Sequence, residues 1–225
     1  MTSAPATQRR AFGAAKVVFL IGVPLAWAVL LWFHPSVAAD DVYGSLRDQV
    51  VTYQIVHIGT LFFIGLIGVV LYLLVRDLPG RAARISRLAI GVFVLFYAAW
   101  ETVIGLATGA LVQHANDVSA DERPAVAEAI QSLQENIVVG EMSVAAVLGG
   151  VAWIVAVIAA AVAYRRVGAP TMVSVLLGLS LVVVSHPPPI GPIGLVCFAG
   201  AVGVLVARDR SAARAPRPLT EPGVA

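Results

Sequence analysis

Long apolar runs, broken by short polar stretches, set the pattern of this chain. Six such runs stand out, over residues 17–33, 52–75, 88–112, 137–163, 171–185 and 190–207. Most are apolar on every face rather than along one stripe, and most are close to the roughly 20 residues a helix needs to cross a hydrocarbon core. The pattern predicts an all-α, polytopic membrane protein, a bundle of six transmembrane helices. The fifth run is the exception. Its 15 residues reach about 22 Å as α-helix, short of a core of roughly 30 Å, and it stops at His186-Pro187-Pro188-Pro189. Proline cannot extend a helix, so this turn is expected below the membrane surface.

The polar stretches carry weaker patterns. In 116–135, Ser119 and Glu122 have capping-box spacing, and Val126, Ile130, Leu133 and Ile137 recur at helical intervals. This predicts a short extracytoplasmic amphipathic helix at the membrane surface. The Pro-Gly pair in the arginine-rich stretch 76–87 predicts a turn. Residues 1–16 and 208–225, polar and rich in Pro, Ala and Arg, read as disordered tails flanking one transmembrane domain, 17–207.

The amino terminus invites a second reading. Arg9-Arg10-Ala11-Phe12 has a twin-arginine look, and Ser36-Val37-Ala38 has the form of a cleavage site. The first run is longer than the 7–15 residues typical of a signal peptide's apolar region, so it is expected to stay as a transmembrane helix.

Composition agrees with the membrane reading. The chain is 59% hydrophobic and 12% charged, with a mean hydropathy of +0.89, where a soluble domain carries about 25% charged residues. The net charge of +2 does not point to nucleic acid, because the basic residues lie in loops and tails rather than on one face. Thirteen of the fifteen Lys and Arg residues fall on one set of loops and tails, and only Arg47 and Arg123 on the other. The positive-inside rule then puts both termini in the cytoplasm of a multi-pass cell-membrane protein. Fourteen arginines against one lysine hint at a GC-rich bacterial genome and hence a bacterial inner membrane. The single cysteine, Cys197, excludes an internal disulfide and a cysteine metal motif.

Candidate chemistry gathers at the extracytoplasmic ends. His34 ends the first run, His57 lies a turn inside the second, His114 ends the third and His186 ends the fifth, with Glu141 at similar depth near the start of the fourth. His34 and His114 read first as interfacial polar residues. His57, His114, His186 and Glu141 are the candidate metal ligands, because imidazole and carboxylate suit zinc, copper or iron. Two of these histidines are alternatively candidate axial ligands of a haem. Glu101 is expected near the middle of its span, where a carboxylate costs at least ~2.5–3.5 kcal/mol and faces the protein interior. It shares a helical face with Tyr97, Gly105 and Gly109, and the two glycines either admit another helix or leave room for a ligand.

These groups support four functional expectations. The first is a metal- or haem-binding module. The second is a membrane enzyme on an isoprenoid or other lipophilic substrate, with Glu101 as acid or base and His57 or Tyr97 as its partner. The third is a small transporter subunit with Glu101 as a protonation site. The fourth is a structural or accessory protein whose partner is the bilayer.

Overall fold

A computed structural model describes residues 13–214; the expected disorder of residues 1–12 and 215–225 lies outside them. The described residues are helical with no strand, in the order α1 (Ala14–Leu31), α2 (Val42–Leu46), α3 (Val50–Val75), α4 (Gly80–Glu101), a π-helical segment (Thr102–Ala107), α5 (Thr108–Asp117), α6 (Arg123–Gln134), α7 (Val144–Arg166), α8 (Thr171–Leu179), a 3-10 segment (Ser180–Val184) and α9 (Ile190–Arg214). Among them, five helices are long and apolar enough to cross a membrane: Ala14–Leu31, Val50–Val75, Gly80–Asp117, Val144–Arg166 and Ile190–Ser211. The chain is therefore a multi-pass membrane protein. The sixth run, Thr171–Val184, is helical but shorter.

Small residues bring the helices together. On α7, Ala152, Ala156, Ala160 and Ala163 are buried, and their stripe faces α4, the most extensive helix pairing in the molecule. Close approach follows from the missing side chains, the main source of packing where water does not drive association. At Gly149 the backbones nearly touch: a Cβ there would stand 2.9 Å from the Tyr97 amide nitrogen. Further along, the Ser86 hydroxyl donates to the Ala156 carbonyl at 2.8 Å. On the other side of the bundle α1 packs on α9 and α3. Its Leu20, Trp27 and Leu31 are fully buried, and Trp27 Nε1 donates to Thr60 Oγ1 at 3.3 Å. The first run is thus part of the core.

Several boundaries differ from the expected ones. The third helix begins at Gly80 rather than near residue 88, because arginines at 81, 84 and 87 do not oppose helix formation; the turn is confined to Pro79 and Gly80, the latter at φ +91°. Glu101 consequently sits 21 residues from the start of a 38-residue helix. At 1.5 Å per residue that is about 32 Å along, near the middle of this long helix and level with His57 of α3.

The fourth helix begins at Val144 rather than 137. Asn136 Oδ1 accepts the Val138 and Val139 amides, Gly140 fits against the Gln134 carbonyl where no Cβ could, and Ser143 caps the helix by accepting the Ala146 amide at 3.3 Å. Side chains that bind local backbone this way compete with helix. Residues 42–46, between the first two apolar runs, form the short helix α2 behind the Asp41 cap. The last helix runs on through 208–214, which the sequence suggested was tail.

The capping-box contact exists, with the Ser119 amide and hydroxyl both donating to Glu122 Oε2. These bonds hold the Glu122 carboxyl below its ordinary value. The helix nevertheless starts only at Arg123, with Pro124 in its first turn. α6 lies over α5 and α2, and its one fully buried side chain, Ile130, joins Val42, Leu46, Tyr53 and Val112 in a small second core.

Candidate metal centre

Two turns and one helix carry three imidazoles to one place. At the end of α1 the chain tightens through bonds from the Phe33 and His34 amides to Leu30 and Leu31, and Pro35 ends it. This folds His34 inward. His57 reaches the same point from α3, two turns after its start. His186 arrives from the turn between the 3-10 segment and α9. All three are buried, 8%, 1% and 6% exposed, and one ring nitrogen from each lies within 4.8 Å of the others.

Each ring is held by a different partner through Nδ1. His34 Nδ1 is 2.7 Å from the Pro35 carbonyl. A carbonyl can only accept, so this nitrogen carries the proton and Nε2 is left as a lone pair. His57 Nδ1 is bonded to the carboxylate of Glu101, also fully buried, and an ionised carboxylate likewise only accepts. His186 Nδ1 lies 3.5 Å from the Tyr97 hydroxyl, which donates to the Val184 carbonyl at 3.1 Å. The free nitrogens then point inward. His34 Nε2 and His57 Nε2 face each other at 3.2 Å. With a proton on one of them this is a hydrogen bond; with none, both lone pairs are aimed at a common point where a cation would fit.

The surroundings are aromatic. Tyr53 packs over His57 with ring centroids 4.1 Å apart, and Trp100 meets His186 edge-on at 5.5 Å. Trp100 Nε1 donates to the Gly140 carbonyl at 3.0 Å. The π-helical segment begins immediately after Glu101. Such widened turns leave carbonyls without the usual partner and recur at functional sites. Here the Tyr53 hydroxyl donates to the Ile104 carbonyl at 2.6 Å. The second oxygen of Glu101, Oε2, is buried with no partner among the described residues.

The expected candidates divide. Glu101, His57, Tyr97 and His186 come together. His114 does not: it is exposed on the last turn of α5. Glu141 does not either, because it precedes α7 and is exposed in the turn before it. Their place is taken by His34, read from the sequence as an interfacial residue, with Tyr53 and Trp100 around it. Placing every histidine on one side of the membrane was the available signal; that residues 33–35 turn inward was not legible. A chain cleaved after Ala38 would lack this ligand together with α1.

Gly105 and Gly109 leave no ligand space. The His57 ring occupies the position of a Cβ at Gly105, and Gln54 lies against Gly109. Their role is the other one expected, close approach of α3.

Comparisons of the chain with protein families, with curated proteins and with solved structures find no match.

Proposed function

We propose that this protein binds one first-row transition-metal ion, zinc or copper, through His34, His57 and His186, near the extracytoplasmic face of the membrane. The observation that carries the reading is the approach of two buried imidazole nitrogens, His34 Nε2 and His57 Nε2, to 3.2 Å. Two imidazoles on one tetrahedral ion at 2.0–2.1 Å stand about 3.3 Å apart, so the pair already has the spacing of adjacent ligands. His186 completes the set after closing by about 1.5 Å, the difference between that spacing and the 4.8 Å limit of the present cluster. Three imidazoles with a further position open are ligands that zinc and copper accept.

The outer shell supports the same reading. Metal-bound histidines donate their second N–H to a carboxylate or carbonyl, which fixes the tautomer. His57 has Glu101 and His34 has Pro35 in those places. Glu101 also supplies a negative charge beside a cation that would otherwise be buried uncompensated. A haem fits this pair poorly: axial imidazoles on opposite sides of an iron stand about 4 Å apart at ~2 Å bond lengths, and these are closer. The enzyme reading, with Glu101 as acid or base and His57 as its partner, uses the same contact, but it also needs substrate space, and the faces of Gly105 and Gly109 are filled by His57 and Gln54.

The test is metal content. Purified full-length protein, incubated with Zn(II) or Cu(II) and freed of excess, should hold about one ion per chain, and a variant with His34, His57 and His186 all changed to Ala should hold none. Wild type that holds no ion, or a variant that holds as much, ends the proposal.

The orientation belongs to the same proposal. The thirteen-to-two split of basic residues puts both termini in the cytoplasm and needs residues 171–185 to count as a sixth, shortened crossing, with α6 lying at the outer surface. A reporter that works only outside the cytoplasm should be silent when fused after Ala225. A strong signal there would overturn the orientation.

A further inference from the structure

At the end of the bundle opposite the histidines, α7 and α8 enclose a groove of about 550 Å³. Its walls include Val157 and Ala161 from α7 and Ser174 and Gly178 from α8, and its mouth carries Arg165 and Arg166. We infer that this groove is a binding site for one anionic glycerophospholipid, with an acyl chain along the groove and the headgroup phosphate on the two arginines.

Length, charge and the open edge of one guanidinium argue for this occupant. From Val157 to Arg166 is nine residues of helix, about 13 Å. Half of a roughly 30 Å hydrocarbon core is about 15 Å, so the groove has the depth of one leaflet. The walls are apolar until the level of the arginines, as an acyl chain ending in a phosphate requires. The Arg165 guanidinium is already oriented: Nη1 donates to the Ala169 carbonyl and to Thr171 Oγ1, both at 3.0 Å. Its other edge, Nε and Nη2, makes no hydrogen bond among the described residues, and that edge grips a phosphate in bidentate fashion. At Gly178 a Cβ would meet nothing within 4 Å, so the groove is open there rather than filled by a neighbour.

Native mass spectrometry of the full-length protein with dioleoyl phosphatidylglycerol or dioleoyl phosphatidylcholine tests the inference. One phosphatidylglycerol should remain bound, in clear preference over phosphatidylcholine. Arg166→Gln should reduce that preference about fivefold, the effect of one basic residue at an anionic headgroup. Gly178→Leu, whose Cβ meets nothing within 4 Å and whose side chain projects into the groove, should reduce retention of both lipids to background in a folded variant. Equal retention of the two lipids by the wild type would overturn the inference. Full retention of phosphatidylglycerol by a folded Gly178→Leu variant would do the same. Neither result bears on the histidine centre, which is at the other end of the molecule.

Discussion

Glu101→Gln is expected to weaken metal binding by about 10–100-fold while leaving the protein folded. Changing an outer-shell partner of a metal-bound histidine costs about that much affinity. Glutamine keeps a carbonyl oxygen that can accept the His57 Nδ1 proton, so the ring stays oriented; what is lost is the negative charge beside the ion. Glu101→Leu should go further. It removes the acceptor, leaves a buried N–H unpaired at a cost of about 1–3 kcal/mol, and frees the His57 ring to turn. Competition against a chelator of known affinity, with thermal unfolding measured on the same samples, separates the two effects. A glutamine variant that binds metal as tightly as the wild type would mean that Glu101 serves only to hold the helices together, and its unpartnered Oε2 would then have no explanation in the metal reading.

The second large effect is expected at Gly105. A methyl group there would overlap the His57 ring. The ring cannot retreat, because Tyr53, Glu101 and His34 hold it on other sides. Gly105→Ala should therefore push α3 away from the π-helical segment, with the 1–3 kcal/mol cost of an overpacked core, and abolish metal binding. Gly109→Ala is the matched control. Its nearest neighbour is the half-buried Gln54 side chain, with Cγ at 2.7 Å from the new methyl, so Gln54 must change rotamer and give up its bond to Gln113, but no ring of the histidine cluster is touched. Alanine also gains about 0.5–1 kcal/mol over glycine inside a helix. The control should lose some melting temperature but keep its metal content. Equal behaviour of the two variants would show that the His57 ring is not fixed as described.

Together the two variants probe different links in one chain of causes. The glycine lets α3 come close to the π-helical segment. That approach puts His57 against Glu101, and the carboxylate fixes which nitrogen of His57 is free. A failure at the first link is felt as lost stability, and a failure at the last as lost affinity alone.

Much of this was written in the sequence, for a simple reason. The hydrophobic pattern records which residues must leave water, and the helix is the simplest way to bury a run of backbone in lipid. All the long apolar helices were therefore legible, as was the shortness of the fifth run before His186. So was the gathering of His34, His57 and His186 at one end of the bundle, since each lies near the end of an apolar run and successive runs alternate in direction. Glu101 and His57 stood out because buried polar groups in such runs need a reason.

The tertiary structure decided what lies beside what. His34 belongs to the centre because residues 33–35 turn inward, a local bend with no periodicity to announce it. His114 and Glu141 do not belong. The helix that carries Glu101 continues past the cluster as α5, so that His114 ends up exposed. The Asn136 turn and the Ser143 cap start α7 only after residue 141, so that Glu141 does too. Whether the Gly105 and Gly109 pair meant a cavity or a contact could not be read from spacing, because both use the same missing side chains; only the position of α3 chose between them. Hydropathy fixes the depth of a residue in the membrane to within a turn or two. Its azimuth around the bundle, which determines its neighbours, depends on how α1, α3, α4 and α9 pack, and that packing arises from contacts between residues far apart in the chain.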